Sequence, residues 1–239
     1  MELVDLQKDL EPWGIAPFDQ DFVGLPIRTF NILRASDEES SIAAIGHFLK
    51  AGIERNQRVC VVSFEHPLCL LPKFKSYGFY FDEDLLTERL VYLYYKPVFS
   101  FSLNFSTDYR QLLDELKRLS KGKVERIALF NSDVMFNLES HLLASSSAAG
   151  IISSFADYEC VVLGCYQSAS TEAYQHLHEV SMTILNSYME IKTAMQEKDR
   201  SYELIIHRSP LYHDKQSALL YLTPGYGFDS PRIEIVKHG

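Results

Sequence analysis

Residues 27–64 read IRTFNILRASDEESSIAAIGHFLKAGIERNQRVCVVSF, and the change of period inside this stretch decides the fold class. Residues 27–33 form a short run of β-branched, aromatic and aliphatic side chains, the mark of a strand. Across 40–55 the apolar residues Ile42, Ile45, Phe48, Leu49 and Ile53 recur at helical spacing, which gathers them on one face. From 58 to 64 the sequence returns to a strand, and its Val-Cys-Val-Val core suits a strand buried on both faces. Strand, helix and strand in this order predict a βαβ unit and a parallel sheet.

The same alternation continues outward. A helix is expected from about Pro67, a third strand at 90–95, and a helix at 108–119 bearing Leu112, Leu113 and Leu116. Further parallel strands are expected at 125–131 and 158–166. Residues 136–155 read as helical apart from Ser145-Ser146-Ser147 and Gly150, and 171–180 as a short helix. The C-terminal segment changes character: 182–191, 201–208 and 218–222 are strand candidates between polar turns, for which antiparallel pairing fits best. Residues 181–198 also read as one long helix, because Met182, Leu185, Met189 and Ile191 fit neither period.

The expected fold is therefore α/β, a three-layer sandwich with a mainly parallel central sheet and a C-terminal antiparallel extension. Neither a Gly/Ser/Pro linker nor an internal repeat divides the chain, so 24–239 reads as one domain. Residues 1–23 read as an N-terminal arm, with Leu3, Leu6 and Leu10 at near-helical spacing before Pro12, Gly14 and Pro17 interrupt them.

Composition narrows the function. The 239 residues are 46% hydrophobic and 23% charged, a globular balance. Thirty-two acidic against twenty-three basic side chains leave a net charge of −9, which disfavours nucleic acid and acidic membranes as partners. The absence of a long apolar run and the acids Glu2, Asp5, Asp9 and Glu11 near the start predict no membrane insertion and a cytoplasmic protein. Cys60, Cys69, Cys160 and Cys165 form no Cys-x-x-Cys and read as buried free thiols.

Gly24-Leu25-Pro26, Arg28-Thr29-Phe30-Asn31-Ile32-Leu33, the helix ending Phe48-Leu49-Lys50-Ala51-Gly52, and Val61-Val62-Ser63-Phe64-Glu65 together resemble the start of a KaiC-type domain, a branch of the RecA-like P-loop ATPases. Tyr77-Gly78-Phe79 and Leu90-Val91-Tyr92 match the family's Phe/Gly turn and third strand, and 181–228 its antiparallel strands. The resemblance implies a RecA-like core that associates side by side into homo- or hetero-oligomers.

The functional positions depart from that family. In G-x-x-x-x-G-K-[ST], backbone N–H groups cradle phosphate, the Lys neutralises it and the hydroxyl holds Mg²⁺. The corresponding stretch here is Ala35-Ser36-Asp37-Glu38-Glu39-Ser40-Ser41-Ile42, with Ala35 and Ser40 at the glycine positions, Ser41 at the Lys and Ile42 at the hydroxyl. Asp37, Glu38 and Glu39 put negative charge where a triphosphate would sit, each repelling it by at least ~1 kcal/mol even in water. At a helix N-terminus the same acids favour the macrodipole and cap free N–H groups. The strand at 126–130 ends in Asn131 where the family has its Walker B Asp, with Asp133 two residues on. Glu65 matches the first catalytic glutamate, and His66 replaces the second.

Other chemistry is poorly supported. His176-x-His178-Glu179 has i, i+2 spacing, which turns two helical rings to different faces. No G-x-S-x-G occurs, and Cys69 or Cys165 as a thiol nucleophile with a distant His is a pairing that any chain with four Cys and eight His allows. Gly225-Tyr226-Gly227 reads as a turn. Phe99, Phe101 and Phe105 alternate with polar residues and read equally as internal packing or as a protein-docking ridge. The expectation is a non-catalytic pseudo-ATPase without cofactor or metal, a regulatory or scaffold subunit of a bacterial complex. Such domains are similar to the RecA-like N-terminal region of the BcsE family of cellulose-synthesis regulators. The alternatives are a nucleotide sensor or ATPase built on Glu65 with Asp133 or Glu38 as metal ligands, and a small-molecule or cyclic-dinucleotide sensor using the crevice at the carboxyl ends of the strands, with Arg34 and Arg58 as candidate ligand contacts whose placement the sequence leaves open.

Overall fold

The computed structural model describes residues 10–22, 24–28, 30–94, 114, 118, 124–130, 160–167, 187–194, 201–209, 216–229 and 236–237. In chain order the elements are β1 (Leu10–Glu11), α1 (Ala16–Phe22), β2 (Leu25–Pro26), β3 (Phe30–Ala35), α2 (Glu38–Glu54), β4 (Val59–Ser63), α3 (Pro67–Ser76), α4 (Asp82–Leu86) and β5 (Leu90–Tyr94). They continue with β6 (Arg126–Phe130), β7 (Val161–Tyr166), β8 (Ser187–Thr193), β9 (Ser201–Arg208), β10 (Gln216–Thr223), β11 (Gly227–Asp229) and β12 (Val236–Lys237). The helices expected at 136–155 and 171–180 lie outside the described residues, as does all of 108–119 except Asp114 and Arg118.

The main sheet runs β11-β10-β9-β8-β3-β7-β6-β4-β5, with β12 also on β10. From β8 to β5 every pairing is parallel, and from β8 to β11 every pairing is antiparallel. The chain is thus α/β, with a large, mostly parallel sheet and added antiparallel strands.

One expectation needs correcting: β8 is not antiparallel throughout, since Asn31↔Ser187 to Ala35↔Ile191 is a parallel register. Connection length explains it. The segment from Tyr166 to Ser187 exceeds the dozen or so residues a parallel crossover needs, whereas β8 and β9 are joined by a short return. The strand also displaces the long-helix reading of 181–198.

The helix α2 shows how local sequence sets its own limits. Asp37 caps its start, with Oδ1 accepting the Ser40 N–H at 2.8 Å. At its end the Arg55 and Gln57 N–H groups both reach the Gly52 carbonyl, and Asn56 takes φ 57°, a left-handed conformation Asn tolerates better than most. Its apolar face joins Val59, Val61, Ala128, Phe130, Leu163 and Cys165 in one core. The alternate residues Cys60, Val62, Ile127, Leu129 and Val162 are equally buried, so the central strands are covered on both faces. Cys60, Cys160 and Cys165 are buried free thiols, but Cys69 is exposed on α3, correcting its expected burial.

The first described residues pack onto the rest. Trp13 is fully buried and donates from Nε1 to the Ala44 carbonyl at 2.9 Å, while the Asp19 carboxylate accepts the N–H groups of Trp13 and Gly14. Arg126, at the amino end of β6, is buried too, donating to Gln57 Oε1 (2.6 Å), the Pro12 carbonyl (2.7 Å) and Glu11 Oε2 (2.9 Å). Burial pushes its pKa down to about 10 against the pull of Glu11, leaving the guanidinium charged at neutral pH.

Candidate functional site

Open α/β sheets bind ligands outside the carboxyl ends of their strands, where the chain order reverses. Here that point lies between β3 and β7: the chain leaves β3 towards β4 on one side and leaves β7 towards β8 on the other. The aligned stretch 35–42 stands at this edge.

Only Ser36 and Asp37 separate β3 from α2, because Glu38 is already helical. Five of the eight residues aligned with a phosphate-binding loop, 38–42, are therefore helix. Ala35 and Ile42 are core residues, and Ser40 and Ser41 are buried. Both serine hydroxyls turn back to the Asp37 carbonyl at 3.0 Å, and Ser41 Oγ also accepts from Gln167 Nε2 at 3.0 Å across the switch point. Asp37 Oδ2 accepts from the Tyr202 hydroxyl at 3.1 Å. The Ser36 hydroxyl meets that of Thr193 at 3.2 Å. Glu39 is half-buried in the first turn of α2.

Glu38 and Glu65 meet around a residue that the sequence did not single out. Lys73 of α3 donates from Nζ to Glu38 Oε1 at 2.5 Å and to Glu65 Oε2 at 2.9 Å. Burial opposes its charge, but the two carboxylates outweigh that and hold its pKa above the usual lysine value. The loop carrying Glu65 is fixed by its N–H on Ser63 Oγ (3.0 Å) and by the Tyr92 hydroxyl on its carbonyl (2.8 Å). Burial pushes the Tyr92 hydroxyl up to about 12, so it stays a donor. His66 caps α3, with Nδ1 accepting the Leu68 N–H at 3.2 Å.

Arg34 and Arg58 do not meet. Arg34, near the carboxyl end of β3, pairs with the buried Glu190 at 2.5 Å, and Lys192 (3.1 Å) and His207 (2.9 Å) converge on the same carboxylate. Burial alone would raise the Glu190 pKa, but His207, Lys192 and Arg34 together hold it down to about 2. Arg58 precedes β4, at the opposite, amino edge of the sheet, and its side chain faces Glu88 at 3.6 Å. A crevice ligand held by both arginines is excluded by this placement.

Asn131, Asp133, Phe99, Phe101, Phe105, His176, His178 and His213 lie outside the described residues. Among the described residues there is no group of three or more His, Cys, Asp or Glu side chains placed to hold a metal ion. Among them too, no helix is long and apolar enough to cross a membrane. Lys73, Gln167 and Tyr202 had no local signal, because each reaches the site from an element distant in sequence.

The class defined by this fold and edge is an α/β protein with an open, mostly parallel sheet and a self-occupied switch point. The sequence matches no protein-family model and no curated protein.

Proposed function

We propose that the chain is a catalytically degenerate domain of the RecA/KaiC-like type, a three-layer pseudo-ATPase that acts as a regulatory or scaffold subunit through protein–protein contacts. The observation that carries this reading is the two-residue connection Ser36-Asp37, whose carboxylate occupies the helix N-terminus that would otherwise face phosphate. The Lys73 ammonium adds to it by neutralising Glu38 and Glu65, the two acids an alternative nucleotide site would draw on.

The test is the thermal midpoint of the purified chain with ATP, GTP or cyclic di-GMP, each with Mg²⁺. A ligand that binds only the native state raises apparent stability by mass action, so the pseudo-ATPase reading expects an unchanged midpoint. A reproducible rise of several degrees with ATP and Mg²⁺ overturns it, and nucleotide hydrolysis that Glu65→Gln abolishes is the result expected of the nucleotide-using alternative. Light scattering on a size-exclusion column reads the side-by-side association that the reading also expects.

A further inference from the structure

Asn31 of β3 and Ser187 of β8 are register partners in the parallel pair, and both are buried, at 0% and 2% exposure. The Asn31 amide nitrogen donates to the Val162 carbonyl at 3.0 Å, on the β7 side, and to the Pro26 carbonyl at 3.2 Å. Two carbonyl acceptors fix which end of the amide is nitrogen. Nδ2 is thus committed to β7 and to Pro26, which leaves Oδ1 as the end of the amide still to be satisfied, and Ser187 stands beside Asn31 on the same face as its register partner on β8.

Among the described residues neither Asn31 Oδ1 nor Ser187 Oγ has a hydrogen-bond partner, and the residues beyond them on the same face, Leu33 and Met189, are apolar and buried. A buried oxygen left unpaired costs the full desolvation of the group, and native proteins relieve such pairs with an internal water that makes two to four hydrogen bonds. We infer that one structural water binds between Asn31 Oδ1 and Ser187 Oγ, donating to the amide oxygen and bonding the serine hydroxyl. It ties β8 to β3 where the parallel set meets the antiparallel extension. It also fixes register, since a one-residue slip of β8 turns Ser187 away from Asn31.

A crystal structure of the whole chain, at a resolution that shows ordered solvent, tests this directly. A water within ~3.2 Å of both oxygens is expected. A direct Ser187–Asn31 hydrogen bond, or a gap without density, overturns the inference. In solution, Ser187→Ala, Asn31→Ala and the double variant form a cycle in which a shared water makes the changes in the unfolding constant non-additive by roughly threefold or more. Additive changes overturn it as well.

Discussion

The hydroxyl of Tyr202 donates to Asp37 Oδ2 at 3.1 Å, joining the antiparallel extension to the first turn of α2 across the carboxyl edge of the parallel strands. The same carboxylate caps α2 through Oδ1, so one side chain ends a strand-to-helix turn and anchors a strand far along the chain. The edge at which open α/β sheets usually bind ligands is held by the protein's own groups.

Removing that carboxylate therefore has a dual effect. Asp37→Ala is expected to cost about 1–2 kcal/mol, the upper part of the range for a lost N-cap. Tyr202→Phe should cost less, about 1 kcal/mol, the value of one hydrogen bond. Urea unfolding of both variants, and of the pair together, reads the two contributions.

Arg126 is a larger determinant. Its acceptors are Glu11 and Pro12 on the N-terminal segment, Gln57 after α2 and, at 3.3 Å, the Phe48 carbonyl of α2, so Arg126→Leu frees that segment as well as losing a buried cation. About 3 kcal/mol is expected, at the lower end for a broken buried pair because Glu11 can reach water. Arg126→Lys should not rescue it, since an ammonium lacks the planar fork that spans these acceptors. Equilibrium denaturation and proteolysis before residue 24 check both statements.

Two acid-sensitive contacts titrate in separate windows. Burial, followed by the nearby Lys50 charge, pushes the His47 pKa down to about 4, and its Nε2 accepts the Phe228 N–H at 2.8 Å. The unfolded chain takes up this proton near pH 6.5 and the native chain only near 4, so stability falls as pH drops through that interval, by on the order of 3 kcal/mol. The Glu190 carboxylate, held down to about 2, protonates first in the unfolded chain near 4.5, and its contribution is lost as pH falls from there through 2. Unfolding free energies between pH 2 and 7 should show His47→Asn flattening the upper window and Glu190→Gln the lower one.

Gly78 and Gly225 adopt nearly the same conformation, φ 84° and 83°, in unlike surroundings. A Cβ at Gly78 would stand 1.9 Å from the Gly225 carbonyl oxygen, whereas one at Gly225 meets nothing within 4 Å. Gly225→Ala should cost about 1 kcal/mol from backbone strain alone. Gly78→Ala should cost clearly more and loosen the β10–β11 turn from α3, as hydrogen exchange of the Gly225 N–H on the Ser76 carbonyl would report.

Lys73 offers the opposite contrast. Its pairs with Glu38 and Glu65 are only half-buried and open to solvent screening, so Lys73→Met is expected to shift stability by under about 1 kcal/mol. If the pseudo-ATPase reading holds, the variant still shows no ATP-dependent midpoint.

By itself the sequence determined the α/β class and, between residues 27 and 94, the strands and the two longer helices but not the short α4, because the period of the apolar residues changes where the backbone does. It also determined the capping of α2, since Asp37 and the two serines interact within one turn. Three things were decided only in the tertiary structure. The direction of β8 depends on which strand receives it after a long crossover, and no local pattern encodes that choice. Lys73, Gln167 and Tyr202 reach the carboxyl edge from α3, the end of β7 and β9, and Arg126 gathers Pro12, Glu11 and Gln57 in the same manner. Short-range periodicity sets helix and strand through contacts a few residues apart, whereas a polar site is built from side chains that only the sheet order brings together.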